Sequence, residues 1–124
     1  MSNRLINTNR PRNFRTKSFR SASGGTEHFI SVQAQGDLSF IEQISQVEEH
    51  YAAARLALSI TEETAIFKRI FISDVLNQGA IIRDSTLVQD TPENPIAVSI
   101  IQQPPLPGAK LSLLAYHFGG DATF

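Results

Sequence analysis

Residues 95–118, PIAVSIIQQPPLPGAKLSLLAYHF, decide the fold of this chain. They read as two apolar strands, Ile96–Gln102 and Lys110–Phe118, joined by Pro104-Pro105-Leu106-Pro107-Gly108. Proline fixes φ and removes a backbone donor, so no helix runs through this corner. One face of each run is aliphatic, and Ser99, Gln102, Gln103, Lys110 and Ser112 recur among the apolar side chains. The stretch brings no nucleophile, metal site or phosphate loop.

Working outward, Ala65–Ser73 (AIFKRIFIS) is a third apolar run. Ile66, Ile70 and Ile72 are expected on one face and Phe67 and Phe71 on the other. Apolar residues on both faces place such a strand centrally. Lys68-Arg69 within it fits a cleft or a polar barrel lining equally well. Thr61–Thr64 precede it, and Glu62-Glu63 read as solvated loop carboxylates.

The clearest helix begins at Ser39, whose hydroxyl and the carboxylate of Glu42 form an S-x-x-E capping box. Phe40, Ile44, Val47, Tyr51, Ala54 and Leu58 then recur at helical spacing along one face. A helix of about 18 residues spans roughly 27 Å, enough to cross a sheet. Asp74 is expected to cap a second helix, Val75 to about Arg83, which Gly79 weakens by about 1 kcal/mol. Asp84–Asn94 reads as polar loop. Toward the N-terminus, Phe14–Ser21 and Glu27–Gln35 form a hairpin around Ala22–Gly25.

The order β-β-α-β-α-β-β predicts an α+β fold, a mixed sheet with two helices on one face. The other face would then be bare, with Phe67, Phe71 and alternate residues of the last two strands exposed. Such a patch exceeds the few hundred Å² common on monomers, which predicts self-association, and a closed ring is the usual outcome for identical chains.

With 124 residues, 41% hydrophobic and 19% charged, the chain fits one ordinary domain. The expected division is a basic flexible arm (1–13), a single domain (14–118) and a C-terminal tail (119–124). No apolar run approaches the roughly 20 residues of a membrane span. The absence of cysteine excludes disulfides, thiolate catalysis and cysteine-bound zinc. A cytoplasmic location is expected, since no apolar signal segment is seen. Six of the eleven basic residues fall within the first 20 positions, before the first acid, Glu27. The arm reads as a solvated terminus, a targeting segment spoiled by Asn7, Asn9, Pro11 and Asn13, or a phosphate-contacting arm.

The element order, together with FKRIFISD (67–74), the strand ending in QQPPLPG (102–108) and the closing KLSLLAY (110–116), resembles the Rid family. Its members are the YjgF-type, RidA-like proteins, under older names endoribonuclease L-PSP and translation initiation inhibitor. The resemblance implies a chorismate-mutase-like fold and a homotrimer with small-molecule clefts between subunits. It also implies hydrolysis of enamines or imines to ketoacids and ammonia; chorismatases contain related domains. This chain departs from the hydrolytic pattern. Val98 falls where those enzymes carry a carboxylate-gripping arginine, Leu114 falls near their glutamate, and Ile82 near their helix-borne asparagine. Phe19 matches their first-strand aromatic without its phenol. No arginine or glutamate occurs anywhere in residues 96–118. Loss of a bidentate clamp and of the acid/base group opposes the deaminase mechanism.

The ligand-binding candidates are therefore Ser99, Gln102 and Gln103 on or beside the cleft strand, Arg83 as the last arginine, and Phe19 and Tyr116 as aromatics. His117 is the candidate acid/base group because imidazole titrates near neutrality. His28, His50 and His117 are too scattered for a metal site, His50 reads as solvent-facing, and no cofactor is implied. Three functions follow: a homotrimer binding or hydrolysing a small metabolite, a non-catalytic binding or assembly module, and RNA binding or cleavage through the arm. No membrane partner is expected, and nucleic acid is the least favoured partner.

Overall fold

A computed structural model describes residues 14–22, 24–88, 95–103 and 110–119. The basic arm, the proline corner at 104–109, residues 89–94 of the polar loop, and 120–124 of the tail lie outside the described residues, as does Ser23. Seven main elements follow in order: β1 (Phe14–Arg20), β2 (Thr26–Gln33), α1 (Phe40–Leu58), β3 (Ala65–Ile72), α2 (Val75–Arg83), β4 (Ala97–Gln102) and β5 (Leu111–Gly119). Short 3₁₀ turns occupy Glu62–Thr64 and Thr86–Val88. The sheet runs β1-β2-β5-β3-β4. This is the α+β order read from the sequence, with both helices on one face.

The topology follows from how the strands pair. Backbone hydrogen bonds from Ser21 N to Gly25 O and from Gly24 N to Ser21 O close the hairpin in which β1 and β2 pair antiparallel, whereas β3 and β4 run parallel and need α2 as a crossover. β5, last in sequence, enters between β2 and β3 and pairs antiparallel with both. It therefore closes the sheet and forms its centre.

Strand alternation sends every second side chain to the helices. Across the sheet these form rows: Phe14, Val32, Leu113, Ile70 and Ile100 in one, then Ile30, Ala115, Lys68 and Val98 in the next. Ile44, Val47, Tyr51 and Ala54 of α1 bury against this face. Ile82 of α2 joins the same core. The Ser39–Glu42 capping box is present, with Glu42 N donating to Ser39 Oγ at 3.2 Å and Ser39 N to Glu42 Oε1 at 2.9 Å. Gln43, also buried, donates to the Leu38 carbonyl and accepts from Lys110 N at 2.8 Å. It thereby ties the start of β5 to the entrance of α1.

Asp74 caps α2 as expected, accepting from the backbone N–H groups of Leu76 and Asn77. Gly25 lies under the Phe118 ring, which would have to shift for any side chain there, since a Cβ would stand 2.3 Å from its tip. No helix among the described residues is long and apolar enough to cross a membrane.

Four expectations change. Ile66 does not share a face with Ile70 and Ile72: a register shift between Ala65 and Phe67 makes it the extra residue of a bulge, 46% exposed. Glu62 is no solvated carboxylate but pairs with buried Lys68. The polar loop after α2 carries a fully buried residue, Leu87, on its 3₁₀ turn. His50 is half-buried, its ring edge-on to Phe14 at 6.4 Å.

Candidate functional site

No helix among the described residues covers the second face of the sheet, and its residues again form rows set by register. Lys17, Phe29, Tyr116, Phe67 and Ala97 make one row; Arg15, Ser31, Leu114, Arg69 and Ser99 make the next. Gln33, Ser112, Phe71 and Ile101 make a third. The open face thus has an aromatic half and a more polar half.

In the aromatic half the rings touch in sequence across four strands. Phe19 stands edge-on to Phe29 at 6.1 Å, Phe29 meets Tyr116 at 4.9 Å, and Tyr116 stacks on Phe67 at 5.2 Å. The Arg69 guanidinium covers Phe67 at 5.1 Å. Phe19 is 53% exposed, and the other three rings are half-buried by one another.

In the polar half lies a concavity of about 610 Å³, lined by Arg15, Ser31, Gln33, Phe71, Ser112 and Leu114 among others. That volume lies in the range of small-molecule pockets. Arg15 is exposed and takes part in none of the ion pairs among the described residues.

A second cluster lies on the helix side, between α1, β3 and β5. Glu62 accepts from Tyr51 Oη at 2.6 Å and from Lys68 Nζ, and Arg55 Nη1 lies 3.5 Å away. Lys68 also donates to the Leu87 carbonyl at 3.1 Å. The His117 ring bridges Tyr51 Oη (Nε2, 2.7 Å) and Thr64 Oγ1 (Nδ1, 2.8 Å). Tyr51 is further covered by Arg55 and Lys68, both within 5 Å of its ring.

The charges in this cluster follow from burial and pairing. Burial pushes the His117 pKa down to about 4; the Glu62 charge opposes this, while Arg55, Lys68 and His28 add to it. At neutral pH the imidazole is neutral. Burial also raises the Tyr51 phenol, helped by its hydrogen bond to Glu62 and that group's charge. For Glu62 burial works upward, yet the hydrogen bonds from Lys68 and Tyr51 outweigh it and hold the carboxyl below its ordinary value. Lys68 is lowered by burial despite Glu62.

The sequence candidates therefore divide between two faces. Phe19, Tyr116 and Ser99 share the open face, with Ser99 on the edge strand beside Arg69. Gln102 points to the helix side, where its Oε1 accepts from Val75 N at 2.9 Å and steadies the start of α2. Gln103 follows β4, is exposed, and donates its backbone N–H to Ile72 O at 3.0 Å. Arg83 is exposed at the end of α2. His117 faces the helices and is fully buried, so no solvent-borne substrate reaches its ring. Ile82, at the asparagine position of the resemblance, is likewise fully buried. Val98 packs against the core, whereas Leu114 faces the concavity.

Sequence reading passed over Arg15 because it stands among the basic residues of the N-terminal run. Period-two alternation in FRTKSFR already put Arg15, Lys17 and Phe19 on one face. The Glu62–Lys68 pairing carried no comparable signal, since a turn and a strand meet there only in the fold.

No protein-family profile matches the chain, and no curated protein matches its sequence. Solved structures do match. A member of the YjgF protein family from Neisseria meningitidis superposes with a TM-score of 0.63 at 9% identity, covering 87% of this chain and 98% of the other. The YjgF gene product of E. coli gives 0.55 at 20% identity, over 72% and 79% of the two chains. A protein of unknown function of the conserved Rid family from Yersinia pestis gives 0.51 at 23% identity, over 74% and 79%. The chain has the YjgF/Rid fold, as the resemblance implied.

Proposed function

We propose that this chain, built on the YjgF/Rid fold, is a small-molecule-binding protein that assembles as a homotrimer through its open sheet face. The observation that carries this reading is the unbroken series of ring contacts Phe19–Phe29–Tyr116–Phe67, on a face that no helix among the described residues covers. Aromatic rings bury large areas and favour edge and offset contacts, so a second copy covers this row at little ordering cost. Ligands then bind where the polar half of the face meets the neighbouring copy.

Binding is favoured over hydrolysis. Strands β4 and β5 carry neither an arginine nor a glutamate, and the one histidine among them is sealed in the core. Decay of an amino-acid-derived 2-iminoacid at the buffer rate supports the binding reading; acceleration of that decay assigns hydrolysis instead.

Light scattering tests the assembly. The expected mass is about 41 kDa, three copies of the 13.7 kDa chain. Phe67→Glu, which places a charge in the centre of the aromatic row, is expected to give single chains. A wild-type monomer at micromolar concentration overturns the trimer.

A further inference from the structure

We propose that the concavity on the polar half of the open face is a site for an amphipathic organic anion, with Arg15 holding the charged head. This rests on the small-molecule reading above but places the cation on β1, at the opposite edge of the sheet from β4. Arg15 is the lining residue with a fixed positive charge, and no carboxylate among the described residues pairs with it. Arg69, the other arginine of its row, is engaged on the Phe67 ring. Three strand spacings, roughly 14 Å, separate the two arginines along the row, so one small head group engages only Arg15.

The rest of the lining sets the remainder of the ligand. Ser31, Gln33 and Ser112 offer neutral hydroxyl and amide groups beside Arg15. They orient a head group without competing for its charge. Leu114 and Phe71 follow on β5 and β3 and present an apolar wall. Leu114 stands two strand spacings, roughly 10 Å, from the Arg15 backbone. Phe71 lies one strand further, roughly 14 Å from the strand that carries Arg15, so a ligand with an aryl group on a short acidic chain spans from the guanidinium to the apolar wall. A guanidinium grips carboxylate and phosphate alike through paired N–H donors, so the head group is either one.

The test uses the full chain and follows its amide NMR shifts with 3-phenylpropionate, phenyl phosphate and the uncharged 3-phenylpropanamide. Saturable shifts at Ser31, Gln33 and Ser112 are expected with an anion, at a dissociation constant of about 1 mM. Preference between the two anions names the head group. Arg15→Gln is expected to weaken anion binding about tenfold and to leave the amide unchanged, and Arg15→Lys to retain part of the affinity. Absence of saturable shifts with both anions overturns the site. So does equal binding by wild type and Arg15→Gln, or an amide that binds as tightly as the anion. Light scattering on the same samples separates this from the assembly. A monomer with Arg15-dependent binding ends the trimer reading and keeps the site. A trimer whose anion binding ignores Arg15→Gln ends the site and keeps the trimer.

Discussion

Acidification should unlock the fold through His117. The imidazole has an ordinary pKa of 6.5, which burial depresses to about 4 in the folded chain. The unfolded chain therefore takes the proton first, and stability drains away as pH falls below 6.5 and on through 4. Across the whole window the loss is about 3 kcal/mol, since each pKa unit is worth about 1.4 kcal/mol. Between about pH 7 and pH 5 the share is about 2 kcal/mol. His28 lies opposite His117 in register, and burial lowers its pKa too, so it adds to the same slope. His117→Gln isolates the term: it keeps an amide for Tyr51 and removes the titrating ring. Urea denaturation at several pH values and fixed protein concentration measures it. The variant is expected to lose about 2 kcal/mol less than wild type over that interval. Equal slopes in the two proteins, or an imidazole that titrates near 6.5 by NMR, would refute the reasoning.

Two further outcomes follow from the same geometry. Lys68→Met leaves Glu62 without its main partner and is expected to cost about 3 kcal/mol in denaturant midpoint experiments, with Glu62→Gln on top restoring part of it. Ser39→Ala removes the hydroxyl that accepts from Glu42 N and is expected to cost about 1 kcal/mol by the same measurement.

Much of the fold was legible because it is written locally. The capping box at Ser39, the helical spacing from Phe40 to Leu58 and the Asp74 cap are all set by contacts within a few residues. The bare sheet face was also legible, since Phe67 and Phe71 alternate with helix-facing residues in β3. Ile66 was not, because a bulge depends on how β3 pairs with β5 and breaks the simple alternation. The candidate site was less accessible. Ser99, Phe19 and Tyr116 do share a face, yet Gln102 is spent on the Val75 N–H and His117 on Tyr51 and Thr64. A polar residue in an apolar strand has two faces to choose from, and register chooses.

What the amino-acid order determined alone was the kind and succession of the elements and the surplus of apolar surface that one layer of helices cannot cover. These depend on period and on short-range capping, both carried by neighbouring residues. Tertiary structure alone decided who meets whom. It set Lys68 against Glu62, drew His117 into the core, and put Arg15 of β1 and Leu114 of β5 in the lining of one concavity. The physical reason is that β5, the last strand among the described residues, is the central strand of the sheet. Contact between the β1-β2 half and the β3-β4 half of the sheet therefore runs through β5.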